Sequence, residues 1–156
     1  MEIPEQTIIH AARQGEIEVL EELIRRGAPL NYQDEKGFTP LIIASYNHQT
    51  EAAKTLIAAG ADVNATDLGG NTALMGVAFK GYADIAQLLI DSGADLNLQH
   101  GNGGTALMFA AMFGRNDILQ LLIAHGADKT LRDRQGNTAL DLAVQQNNID
   151  GIKLLS

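Results

Sequence analysis

The chain has 156 residues, which is enough for one domain with a buried core. It contains no cysteine, so disulfide frameworks and thiolate metal sites are excluded. Its net charge of -8 disfavours nucleic acid and anionic membranes as partners, because like charges repel, and it gives a weak preference for a basic or amphiphilic partner.

The composition also limits the kind of core and the compartment. Hydrophobic residues make up 46% of the chain but aromatic residues only 4%, so we expect a core of Ala, Leu and Ile. No apolar run approaches the roughly 20 residues that span a bilayer, and the beginning of the chain lacks the basic and apolar regions of a signal peptide. We expect a cytoplasmic protein, or an exported one if a signal peptide has been removed.

One segment recurs along the chain at a fixed spacing, without insertion or deletion. One copy carries Gly-Asn-Thr-Ala-Leu from Gly70 and Gly-Ala-Asp-Leu-Asn from Gly93. The segment recurs 33 residues earlier, as Gly-Phe-Thr-Pro-Leu from Gly37, and 33 residues later, as Gly-Gly-Thr-Ala-Leu from Gly103. A fixed period of this length, in the range of roughly 20–50 residues, is typical of a repeat architecture.

We interpret residues 1–156 as a single domain of five copies. The copies are an N-terminal cap at 1–33, full copies at 34–66, 67–99 and 100–132, and a truncated C-terminal cap at 133–156. Each full copy is predicted to hold two short helices, the first beginning after an N-cap threonine. Because helices this short are marginal in isolation, their apolar residues must face the neighbouring copies.

Particular side chains are predicted to form this core and its ends. In the first copy, Val19, Leu20, Leu23 and Ile24 have the spacing of one apolar helix face. In the later copies, Leu89 and its equivalent in the next copy, Leu122, are predicted to be buried. The remaining positions of the second helix in the first copy are mostly charged, which suits a polar cap.

The order of these motifs is similar to that of the ankyrin repeat, and the match covers nearly the whole chain. The resemblance implies an all-α ankyrin-repeat solenoid of stacked helix-turn-helix units joined by β-hairpin loops. It also implies a concave surface for protein partners, formed by the loop tips and the first helices.

Two histidines depart from the family pattern. His48 replaces a turn glycine, which costs strain if this residue keeps a positive φ. His100 replaces a loop aspartate, so the third loop is expected to be looser.

Little in the sequence indicates catalysis or metal binding. The four histidines, His10, His48, His100 and His125, are scattered without the convergent spacing of metal ligands. The recurring aspartates are explained by turns and caps, and the glycine-rich loop before Thr105 lacks the lysine of a phosphate-binding loop. We therefore expect no enzymatic activity, no metal and no cofactor.

The two positions before each inter-helix turn carry an unusual set of side chains. In the middle copies they are Tyr46-Asn47, Phe79-Lys80 and Met112-Phe113, and the family resemblance places them on the concave surface. Exposed apolar groups mark contact sites, so we predict that Tyr46, Phe79, Met112 and Phe113 anchor a protein partner. The alternative is that they pack on one another and on Phe109 as core. Asn47 and Lys80 are predicted to belong to the same binding surface. Its polar rim is predicted to consist of flanking loop positions: Glu35, Lys36, Phe38, Leu68, Asn71, Asn102, Arg134 and Gln135.

The sequence thus predicts a monomeric protein-protein interaction module. Two other interpretations are compatible with it. The concave groove could bind a small ligand or catalyse a reaction, with His48 or Lys80 acting there. The repeats could also form a structural array that has no partner.

Overall fold

The computed structural model describes residues 3–156, and its contacts divide the chain into two compact units, residues 1–73 and 74–156. In the described residues there are ten α-helices and no assigned strand. The helices are α1 (Thr7–Gln14), α2 (Ile17–Arg25), α3 (Pro40–Tyr46), α4 (Thr50–Ala58), α5 (Ala73–Lys80), α6 (Ala83–Asp91), α7 (Ala106–Met112), α8 (Asn116–Ala124), α9 (Ala139–Gln145) and α10 (Ile149–Leu155).

The predicted threonine caps start the first helix of each pair. The hydroxyl oxygens of Thr39, Thr105 and Thr138 each accept the backbone N–H of the residue three positions on, at 3.2 Å. Such a bond satisfies one of the donors that a helix start leaves open. Thr72 holds the same position directly before α5 and is buried.

The turn between the two helices of a pair requires a left-handed residue. Gly15, Gly81 and Gly114 provide it at φ values of 69°, 86° and 70°. His48 and Asn147 adopt the same conformation at 56° and 55°, so His48 does keep the positive φ that is strained for a residue with a side chain. The repeat therefore keeps this turn conformation even where, as at His48, the residue does not favour a positive φ.

Within each unit, equivalent helices pack against one another. In the first unit α1 packs on α3 and α2 on α4, and in the second unit α7 packs on α9 while α8 packs on α6 and α10. The predicted core residues Leu89 and Leu122 are fully buried. Alanines such as Ala44 and Ala111 are also fully buried, which lets neighbouring backbones approach closely.

One predicted core residue is exposed. Val19 in α2 leaves 39% of its surface in solvent, although Leu20 and Leu23 are buried. Its equivalents Ala52 and Ile118 lie in α4 and α8, each of which packs on the preceding second helix. No helix precedes the α1–α2 pair in the described residues, so nothing of this kind covers Val19, and its assignment to the core was wrong.

Replacing Leu122 by Ala should lower the free energy of unfolding by about 2–5 kcal/mol, because the substitution leaves a cavity in a fully buried site. Urea denaturation of both proteins measures the difference. Leu68→Ala is the control, since Leu68 is 79% exposed and its replacement should change stability by less than about 0.5 kcal/mol. Equal stability of Leu122→Ala and the parent would contradict the assignment of Leu122 to the core.

Candidate functional site

The second unit brings two of the predicted anchors into contact. Phe79 lies near the end of α5 and Phe113 directly follows α7, and their rings meet edge to face with centroids 4.7 Å apart. Both rings nevertheless remain accessible, at 37% for Phe79 and 41% for Phe113. The two rings therefore pack on each other, as the core interpretation expects. They also remain exposed, as the partner-binding interpretation expects.

Arg115 supports this aromatic pair. Its Nε donates to the backbone oxygen of Phe79 at 3.1 Å, and its side chain lies against Gly81, where a Cβ would come within 3.0 Å of Arg115 Cδ. Sequence reasoning missed this residue. Gln49 occupies the equivalent position in the first unit and lies against Gly15 in the same way, which only the structure reveals.

In the first unit, Tyr46 ends α3 and is 43% exposed. The neighbouring Asn47 uses its amide within the same turn, where Nδ2 donates to the oxygen of Ile43 at 2.8 Å. Loop residues of the predicted rim also meet in this unit, because the Leu68 N–H donates to the oxygen of Lys36 at 3.0 Å. Lys36 and Leu68 are both exposed at these loop tips.

The other predicted rim residues of the first unit have local roles. Phe38 is half-buried, and its N–H donates to Asp34 Oδ1 at 2.9 Å. Asn71 is also half-buried and bonds through its backbone and its amide to Asp67. Glu35 is exposed and lies at the tip of the same loop as Phe38.

A cavity of about 300 Å³ in the second unit brings together four of the predicted residues. They are Asn102, Met112, Arg134 and Gln135. The loops that carry two of them are joined directly, because the Arg134 N–H donates to the oxygen of Asn102 at 3.0 Å. The predicted anchor Met112 and the predicted rim thus share one concave feature.

His100 is part of the same cavity and was not predicted to belong to a site. In the loops that begin at Asp34, Asp67 and Asp133, one carboxylate oxygen accepts two backbone N–H groups. In the part of the chain that the structure describes, the His100 ring accepts one, from Gly104 to Nδ1 at 2.9 Å. The loop keeps its backbone closure, with His100 N–H donating to the Gly104 oxygen at 2.9 Å.

The recurring acidic residues serve turns and caps. The Oδ1 atoms of Asp62, Asp95 and Asp128 accept the backbone N–H two residues on, at 2.8–2.9 Å. Hydrogen bonds from the hydroxyl and N–H of Thr130 hold the pKa of Asp128 below its ordinary value. All three carboxylates are already engaged within the fold, and the lowered pKa of Asp128 does not suit proton transfer near neutral pH.

Two features that residues 3–156 lack are relevant to other classes of function. Residues 3–156 contain no group of three or more histidine and acidic side chains placed to hold a metal ion. In the same residues, no helix combines the length and the apolar composition that crossing a bilayer requires.

Comparison with protein families gives two matches. A model described as ankyrin repeats (3 copies) matches residues 4–67 and 74–156. A second model, described as ankyrin repeats (many copies), matches residues 48–90. No curated protein matches the chain.

The cap at the start of α9 should make stability depend on pH. Bonds from the N–H and hydroxyl of Thr138, aided by the charge of Arg132, lower the pKa of Asp141 from its ordinary value of 3.8. Because the folded pKa is below the unfolded one, the contribution of this carboxylate is present above the unfolded pKa. It is lost as the pH falls through the folded pKa.

Urea denaturation at pH 7 and at pH 3 tests this dependence. Asp141→Asn should be less stable than the parent at pH 7, and the difference should shrink at pH 3. Asp150→Asn is the control, because Asp150 also lies in the first turn of a helix, α10, but its side chain caps no backbone group within residues 3–156. A difference between Asp141→Asn and the parent that stayed constant with pH would contradict the role of the cap.

Proposed function

Because the chain belongs to the ankyrin-repeat family, whose members are generally protein-interaction modules and typically not enzymes, we propose that it binds a protein partner. The binding surface that we propose comprises the ends of the first helices and the loop tips. In the second unit it is centred on Phe79, Met112 and Phe113, with Lys80, Asn102, Arg134 and Gln135 around them. The chain would act as a monomer and without a cofactor.

The observation that carries the proposal is the exposed aromatic pair. Phe79 and Phe113 account for two of the four phenylalanines in a chain that has few aromatic residues, and both remain more than one-third exposed. Aromatic side chains often supply a large share of the binding energy of protein interfaces. An apolar pair at the surface is therefore better explained by contact with a partner than by stability alone.

The pair is also held in place before any partner arrives. Edge-to-face contact fixes the two rings relative to each other, and the bond from Arg115 to the Phe79 oxygen holds the turn beneath them. Ordering of flexible side chains opposes association, so an ordered surface loses less entropy on binding. This arrangement favours recognition by a preformed surface.

The first unit offers a second contact region, which we propose includes Tyr46 and Asn47. Its loop tips add Glu35, Lys36, Phe38, Leu68 and Asn71. Tyr46 combines an apolar ring with a hydroxyl, which suits a surface that alternates between water and a partner. The exposed side chain of Leu68 would add apolar contact.

Truncation of the anchors should separate binding from folding. Phe79→Ala should weaken a partner complex by about 2 kcal/mol, or about thirtyfold in Kd, while changing the melting temperature little. Tyr46→Ala should act similarly. The measurement is quantitative capture from a native lysate by immobilised parent and variants, followed by titration of the protein that is captured.

Ile149→Ala is the matched control, because Ile149 is also an exposed apolar residue but lies outside the proposed surface. It should retain the protein that the parent captures. A large fall in the melting temperature of Phe79→Ala with capture intact would assign the ring to the core and contradict the proposal.

A further inference from the structure

The cavity of the second unit has an apolar floor. Met108 is almost completely buried and Leu142 is largely buried, while Phe109 and Met112 are half-buried, and all four line the cavity. Methionine side chains adapt to the shape of an incoming group. The volume of about 300 Å³ lies at the lower end of the range for ligand sites and suits one large side chain with its neighbours.

The ring of His100 supplies a hydrogen-bond donor to this cavity. Because Nδ1 accepts the Gly104 N–H, the neutral ring carries its proton on Nε2. Gly104 makes room for the ring, since a Cβ there would come within 2.8 Å of His100 Cε1. Edge contact with Phe109, at 5.2 Å between centroids, holds the ring from the other side.

Arg134 brings a positive charge to the rim. Its backbone is fixed by the bond to Asn102, but across residues 3–156 no hydrogen bond or ion pair engages its guanidinium. The neighbouring Asp133 is the negative group of the cavity, and its Oδ1 already accepts N–H groups from Gln135 and Asn137 at 2.9 Å. The cavity therefore holds one cationic group, Arg134, and one anionic group, Asp133, and the donors that a carboxylate could use are the Arg134 guanidinium and the Nε2–H of His100.

The net negative charge is smaller in the unit that carries the cavity. Residues 1–73 hold 11 acidic and 5 basic residues, whereas residues 74–156 hold 8 and 6. The excess of negative charge is thus concentrated in the first unit. Contacts over a few ångströms depend on the local groups, because solvent and salt screen distant charges.

We propose that this cavity binds a large apolar side chain of the partner with a carboxylate directly beside it. The apolar side chain contacts Met108, Met112 and Leu142, and the carboxylate accepts from Arg134 and His100 Nε2. This inference rests on the proposed binding of a protein and specifies the chemistry of the bound segment. At this cavity it departs from the weak preference for a basic or amphiphilic partner that the net charge alone suggested.

Methyl NMR of the intact protein tests the proposal with defined peptides. Labelling the methionine methyl groups gives few signals, because the chain has four methionines. Met108 and Met112 report on the cavity, and Met75, which is buried at the position equivalent to Met108 in the preceding copy and does not line the cavity, is the internal reference. The probes are N-acetylated, C-amidated pentapeptides with the sequences Ala-Glu-Leu-Glu-Ala, Ala-Gln-Leu-Gln-Ala and Ala-Lys-Leu-Lys-Ala.

The glutamate peptide should shift the Met108 and Met112 signals and leave Met75 unchanged. It should do so at about threefold lower concentration than the glutamine peptide, which is the scale of an exposed ion pair, and the lysine peptide should bind most weakly. Arg134→Gln should abolish the difference between the glutamate and glutamine peptides. Lys129→Gln makes the same change in net charge at an exposed residue outside the cavity and should preserve that difference.

Three results with the peptides and the Arg134 variant would overturn the proposal. They are equal or tighter binding of the lysine peptide, no shift at Met108 and Met112 with any peptide, and a preference for glutamate that survives Arg134→Gln. A shift of Met75 as large as that of Met112 would also contradict binding in the cavity. If only the cavity proposal were wrong, partner capture would still depend on Phe79. If the proposed protein binding were wrong, it would not, so the two outcomes can be distinguished.

Discussion

Packing between equivalent short helices is the interaction on which the rest of the structure depends. In the described residues no helix exceeds nine residues, a length at which an isolated helix is marginal in water. Burial against neighbouring helices stabilises them, as in α8, where Ile118, Leu119 and Leu122 are fully buried. Alanines at the α7–α9 contact keep the backbones close, so side-chain size at these positions is tightly limited.

Positions that do not pack between helices are therefore free to vary and to contact a partner. The core, the caps and the loop aspartates recur with the period of the repeat, whereas the residues before each inter-helix turn differ from copy to copy. Phe79 and Phe113 occupy such variable positions and remain accessible beside the rigid framework. The cavity next to Met112 is also lined by a residue that breaks the repeat pattern, because His100 replaces the loop aspartate and its ring lies against Phe109.

The sequence predicted the framework well because its signals are local and repeated. The threonine caps, the left-handed turn at His48 and the buried Leu122 each follow from spacing within a copy. Val19 was misjudged because the same spacing says nothing about whether a preceding helix covers it. Arg115 and His100 were missed because their roles depend on particular side-chain contacts, which composition and spacing do not specify.

The most direct test of the central claim is native-state hydrogen exchange in the variant Ala111→Asp. Ala111 is fully buried in α7, which packs on α9, and a carboxylate there cannot be accommodated without loss of that contact. If neighbouring helices stabilise one another, the amides of α9 and α10 should lose protection together with those of α7, although their own sequence is unchanged. Full protection of α9 and α10 alongside an unprotected α7 would contradict the account.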